Sequence, residues 1–209
     1  MIRIGVDVGG TNTDAVVMKG KKFLGGAKSP TTSDILTGVE NAIKSALSES
    51  NTSSDDVDVL IIGTTHFVNA LVQRTKLAQT GVIRMCLPSG SSILPFADWP
   101  NSLISGMKGT YKLIKGGYEM TGGEISQLDH NELISAAREL RDMGCNQIAI
   151  SSVFATVRGD MEQEALEILT KEMPDLSITL SKSIGGMGLL ERENAAIINA
   201  SLRPLAAEV

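Results

Sequence analysis

Ile2-Arg3-Ile4-Gly5-Val6-Asp7-Val8-Gly9-Gly10-Thr11-Asn12-Thr13-Asp14-Ala15-Val16-Val17-Met18 is the stretch on which the fold of this chain turns. Ile2, Ile4, Val6 and Val8 alternate with smaller or polar residues, the pattern of a strand with one buried face. Gly9 and Gly10 remove two side chains in a row, which permits positive φ and a close approach of other groups to the backbone. Thr11, Asn12 and Thr13 follow with short polar side chains, and Ala15 to Met18 resume an apolar strand. A hairpin of this kind directs several N–H groups into one concavity, which suits a phosphate. Asp7 enters the turn and Asp14 leaves it. An acid beside a phosphate cradle is poorly placed unless a cation lies between them, so the pair implies Mg²⁺ held through water.

Working outward, Lys22 to Lys28 reads as a third strand that closes a meander. Ser33 or Asp34 is positioned to cap a helix with Ile35, Leu36, Val39, Ala42, Ile43, Ala46 and Leu47 on one face. Val57 to Ile62 reads as a buried strand that ends in Gly63-Thr64-Thr65, with a helix from His66 to Arg74. This is a second place where N–H groups and hydroxyls converge, equally readable as a plain strand-to-helix turn with a threonine cap.

Gln79 to Leu87 is a further strand. From 88 to 128 the pattern breaks into an irregular excursion rich in Pro, Gly and Ser, in which Ile93, Leu94, Phe96 and Trp99 want burial. Helices are expected over Asp129–Met143, with an Asp129/Glu132 capping box, from Asp160, and from Leu189 toward Pro204. Strands are expected over Gln147–Phe154 and Leu176–Leu180. A meander followed by alternating helix and strand is the order of a ribonuclease-H-like α/β fold, a mixed sheet with flanking helices.

The chain has 209 residues and a formal net charge of −5, which argues against a nucleic-acid surface. No apolar run reaches membrane-span length, and the opening residues have no signal-peptide pattern, so a cytoplasmic protein is expected. Cys86 and Cys145 read as a reduced, buried pair. Neither they nor the two histidines have metal-ligand spacing. His66 reads as a cap or cleft wall and His130 as a solvated residue.

Asp7 to Asp14 resembles the first phosphate hairpin of the superfamily of sugar kinases, actin and heat-shock chaperone ATPases. Gly63-Thr64-Thr65-His66-Phe67-Val68-Asn69-Ala70 resembles the Gly-Thr-Thr-x-x-x-Asn-Ala signature of the hydantoinase A / 5-oxoprolinase family. Pro95 to Pro100, Gly116 to Ile125 and Gly188 to Ala195 look like that family too, so the match spans nearly the whole chain. The resemblance implies an ATP-dependent amidase in which ATP phosphorylates the oxygen of a cyclic amide and water opens the ring. Asp7 would hold Mg²⁺ or assist phosphoryl transfer, with Asp14 supporting the metal shell. Gly9, Gly10, Thr11, Asn12 and Thr13 would cradle phosphate, and Gly63, Thr64 and Thr65 would bind nucleotide. Asn69 would face the substrate.

Many members carry an aromatic where Asn12 stands, and members are much longer than this chain. The resemblance therefore implies one N-terminal domain over residues 1–209. A C-terminal half or a second, B-type subunit would be the partner, within a homo-oligomer. Apolar surface for the missing half is expected near the Leu189–Leu202 helix. The alternatives are a Gly-Gly-Thr sugar-kinase fragment and a non-catalytic binding module.

Overall fold

The computed structural model describes residues 1–32 and 34–207. The chain divides into two compact units, Met1–Gln73 and a second that begins at Arg74.

The first unit is the meander plus one helical crossover. Strands β1 (Ile2–Val8), β2 (Asn12–Lys19) and β3 (Lys22–Pro30) run antiparallel. Helix α1 (Ile35–Ser50) then leads to β4 (Val59–Thr64), which joins β1 in parallel to give the order β3-β2-β1-β4. Ile4, Val6, Val8, Ala15 and Val17 pack on Val39, Ala42 and Ala46 of α1, so the alternation selects the helix-covered face. Asp34 precedes α1 without a side-chain cap bond, and its carboxylate accepts from Thr37 Oγ1 at 2.5 Å. Ser33 and the Ile35 side chain lie outside the described residues. Leu36, expected on the buried face, is exposed, because it stands at the edge of the stripe in the first turn. The strand expected to be buried over Val57–Ile62 is β4, and it is not buried. Val59, Leu60, Ile61 and Ile62 are 37 to 54% exposed, because β4 is the edge of its sheet and carries no helix over either face among the described residues. Helix α2 (His66–Gln73) closes the unit.

The second unit carries an all-parallel sheet in the order β6-β5-β7-β8. Its strands are β5 (Thr80–Leu87), β6 (Thr110–Lys115), β7 (Gln147–Ser152) and β8 (Ser177–Leu180). The excursion expected at 88–128 is a correction: it contains a short helix α3 (Asn101–Gly106) and the strand β6. Phe96 is buried with Trp99 edge-on at 5.3 Å, whereas Ile93 and Leu94 are exposed.

Helices α4 (His130–Asp142) and α5 (Asp160–Glu172) cover one face through Leu133, Ala137, Leu140, Ala165 and Leu169, packed on Ile83, Met85, Ile148 and Ile150. Helix α6 (Leu189–Ala206) covers the other, where Ala196, Ile197 and Ala200 meet Val82 and Ala149. Asp129 caps α4 by accepting from the N–H groups of Asn131 and Glu132. Glu132 does not reciprocate as a full box would, and accepts instead from the N–H of Lys115 at 3.2 Å. Gly144, at φ +97°, ends that helix in the left-handed region.

Helix α6 is packed into this unit, and its inner face is covered. Among the described residues, exposed large apolar side chains occur on β4, at Val68 and Val72 of α2, at Phe23 of β3, at Ile93 and Leu94, and at Ile184 and Met187 just ahead of α6. Cys86 and Cys145 are free and buried, and burial raises both thiol pKa values.

Candidate functional site

The candidate residues of both motifs lie in the first unit, at the carboxyl ends of β1 and β4. Gly9, Gly10 and Thr11 connect β1 to β2. Neither glycine has positive φ, so of the two expected reasons the positive φ does not apply and the close approach does. A Cβ on Gly9 would lie 2.8 Å from the Asn12 carbonyl oxygen, which itself accepts the Gly9 N–H at 2.9 Å and closes the turn. A Cβ on Gly10 would lie 2.9 Å from Asn69 Nδ2, so the hairpin tip touches α2. The two sequence motifs are therefore neighbours.

Two features make the turn an outward-facing donor. The N–H groups of Gly10 and Thr11 have no acceptor among the described residues, and both residues are exposed. The turn's carbonyls are tied inward: Thr31 Oγ1 donates to Gly9 O at 2.8 Å, and Thr31 N–H donates to Thr11 O at 2.9 Å. Thr13 is fully buried with its hydroxyl 3.2 Å from that of Thr31, so its side chain braces the hairpin from within. Asn12 is half-buried at the start of β2.

Asp7 and Asp14 are direct partners in the β1–β2 register, and so project to the same face of the sheet. Like charges directly opposite destabilise a sheet unless something neutralises them. Lys28 Nζ lies 3.2 Å from Asp14 Oδ1 and supplies one positive charge. Asp7 is exposed and has no ion-pair partner among the described residues. The donor set fits a divalent cation held by one or two carboxylates and water. No group of three or more His, Cys, Asp or Glu residues with metal-site geometry occurs among the described residues.

Gly63 stands beside Asp7 in the β1–β4 register and leaves that space open, since a Cβ there would come only within 3.9 Å of Asp7 Oδ1. Thr65 is fixed to the end of β1, its N–H and Oγ1 donating to Val8 O at 3.1 and 3.3 Å. Thr64 Oγ1 accepts the N–H of His66 at 3.0 Å and starts α2. Asn69 Nδ2 reaches Thr65 Oγ1 at 3.4 Å. His66 Nδ1 is buried without a partner among the described residues.

The residues that sequence reasoning missed are Thr31 and Lys28. Their signal was the hairpin register, which sets Lys28 opposite Asp14. His130 is exposed, as expected, and also pairs with the exposed Glu164 Oε1 at 2.8 Å in the second unit, where α4 and α5 pack side by side.

A family profile, the hydantoinase/oxoprolinase N-terminal region, matches residues 3–173. The caprolactamase subunit alpha of Pseudomonas jessenii is 24% identical over 97% of this chain and 31% of its own. The solved structure of the ATP-dependent caprolactamase from Pseudomonas jessenii superposes with a TM-score of 0.77 at 21% identity, covering 98% of this chain and 32% of that one. A nucleotide-free acetone carboxylase, from work on ATP-dependent acetone carboxylation, gives 0.78 at 18% identity, over 97% and 32%. The chain thus spans about a third of the length of these relatives. No helix among the described residues is long and apolar enough to cross a membrane.

Proposed function

Because this chain belongs to the hydantoinase/oxoprolinase family, we propose that its first unit is the nucleotide-phosphate-binding part of an ATP-dependent amidohydrolase that opens cyclic amides of the hydantoin or 5-oxoproline type. The observation that carries this reading is the pair of exposed, unpartnered N–H groups at Gly10 and Thr11, next to the register-paired Asp7 and Asp14. Membership of the family favours the amidohydrolase over the sugar kinase.

An unactivated amide is a poor electrophile, and ATP supplies the phosphoryl group that converts its oxygen into a leaving group. The chain's own share is positioning and charge neutralisation. The N–H groups of Gly10 and Thr11 hold phosphate oxygens, with Gly9 and the buried Thr13 keeping the turn in shape. Asp7 would hold Mg²⁺, the ion that supplies charge neutralisation at the phosphates, and Asp14, already paired with Lys28, would contribute less charge to the same site. Gly63, Thr64 and Thr65 form the wall beside Asp7, and the Asn69 amide, fixed by Thr65, meets nucleotide or substrate. The remaining catalytic groups come from a C-terminal half or a second subunit, in keeping with the word "alpha" in the relative's name.

The test has two arms. Titrating the protein with Mg-ATP should shift the Gly10 and Thr11 amide resonances with millimolar affinity, about −4 kcal/mol. Gly10→Val, which crowds Asn69, should abolish that response. In the assembled enzyme, Asp7→Asn should lower kcat at least about a hundredfold, the scale of one lost transition-state contact. Unmoved amides, or a loss below about threefold at saturating Mg²⁺, would return the hairpin to a structural role.

A further inference from the structure

The sheet of the first unit is covered on one face only. Ile4, Val6 and Val8 point to α1, so Arg3, Gly5 and Asp7 point to the opposite face, which no helix of this unit covers among the described residues. The registers place Val16 and Ile61 on either side of Gly5, and Met18 and Val59 on either side of Arg3. Val16, Val59 and Ile61 are exposed there. Gly5 is the informative residue. A glycine inside a strand weakens it and marks a close approach by another group. This unit supplies no such group, since a Cβ on Gly5 would meet only Val16 Cγ2, at an ordinary 3.4 Å.

The missing side chain instead leaves the floor of a depression of about 350 Å³, walled by Val16, Met18 and Ile61 and rimmed by Arg3 and Lys21. Arg3 Nη2 donates to Gly20 O at 3.0 Å, and neither cation has a carboxylate partner among the described residues. On a chain of net charge −5, a rim of two unpaired cations is complementary to an acidic partner. The backbone sets the form of that partner. Strand N–H and C=O groups lie in the sheet and not out of its face. An extended segment laid on the face would lose water without gaining ladder bonds, whereas a helix satisfies its own backbone. Strand β1, with seven residues, is about 23 Å long, the length of a helix of about 15 residues. The helix macrodipole turns the carbonyl end toward Arg3 and Lys21 and the N–H end toward Asp7.

We propose that this face is the docking surface for an amphipathic helix of a partner protein. The helix seats a large apolar side chain over Gly5 and sets carboxylates of its last turn against Arg3 and Lys21. The surface needs no nucleotide, so its failure would leave the function proposed above standing.

Methyl NMR of the Ile-, Leu- and Val-labelled protein tests it. The probe is a stapled helical peptide of about 15 residues with leucines along one face and two glutamates in its last turn. The control peptide carries two lysines there. The glutamate peptide should shift the methyls of Val16, Val59 and Ile61 saturably and leave those of Val39 and Leu47, at α1, in place. The lysine peptide should bind at least about fivefold more weakly, and Lys21→Glu should narrow that gap. Gly5→Val, which raises the floor of the depression, should abolish the response with Val39 and Leu47 unmoved. No saturable shift with the glutamate peptide, equal or tighter binding of the lysine peptide, or unchanged affinity in Gly5→Val would each overturn the proposal. So would movement of the same three methyls when the protein alone is concentrated, which would give the face to a second copy. Shifts confined to Leu60 and Ile62, which share the α1 side with Ile4 and Val6, would overturn it too.

Discussion

Val59-Leu60-Ile61-Ile62 in β4 and Ile148-Ala149-Ile150 in β7 are comparably apolar runs, each at the heart of a parallel strand. Ile148, Ala149 and Ile150 are fully buried, whereas all four residues of β4 lie open to solvent. The cause is position. β7 has β5 and β8 on its two sides, α4 and α5 over one face and α6 over the other. β4 has β1 on one side and, among the described residues, nothing on the other. An apolar run reports what a strand needs, and only topology says whether the need is met. The polar groups follow the same divide. The second unit sinks charges into its interior, with Ser151 Oγ donating to Glu193 Oε2 at 2.6 Å beside Arg84. The first keeps Asp7 and Asp14 at the surface.

The largest expected effect breaks the buried pair. Glu193→Ala strands the Arg84 charge in the interior and should cost about 3–5 kcal/mol by urea unfolding. Asp14→Asn removes the exposed partner of Lys28 and should cost under about 1 kcal/mol. Equal costs would mean that the two units handle charge alike. The next effect sharpens the contrast in packing. Ile150→Ala should cost about 2–5 kcal/mol, and Ile61→Ala about 1 kcal/mol or less, since half its side chain already meets water. A large loss at Ile61 would show that β4 is covered in solution.

The smallest effect asks whether exposed pairs count for as little in the second unit. The Arg158 guanidinium, 2.6 Å from Asp160, holds that carboxyl below its usual value. A depressed pKa stabilises the fold above the usual aspartate value of about 3.9 and loses that share as pH falls through the depressed value. Asp160→Asn should therefore be slightly less stable than the parent at pH 6, and the difference should close under acid. A gap that persists below the depressed value would assign Asp160 a role independent of its charge.

The meander, α1, α4 and α5 were legible in the sequence, because their apolar periods are clear, and in α4 the period agrees with the Asp129 cap. The strand β6 was not. Thr110 to Lys115 is flanked by Gly109 and Gly116-Gly117, and only one of its residues is fully buried, so the breakers outweighed a weak run. The exposure of β4 was invisible because edge position is a tertiary property. In the candidate site the acids, the glycines and the Thr64–Asn69 segment could be picked out, and the structure brings them together. The inward role of Thr13 and the brace from Thr31 could not, because both depend on how the far end of β3 returns to the turn. The Arg84–Glu193 pair joins residues 109 positions apart and leaves no local pattern.

That separation has a consequence in time as well as space. The pairing of β1 with β4 is complete once the first 64 residues are in place. The second sheet waits far longer, since Arg84 enters β5 early and meets its carboxylate only when α6 arrives. Until then the guanidinium must stay hydrated, which holds that side of β5 and β7 open. Docking of the last helix is thus the event that dries the interior, and contacts of such long sequence separation are slow to form. During synthesis the whole of Met1–Gln73 therefore emerges before Glu193, the carboxylate on which the second unit's buried charge depends.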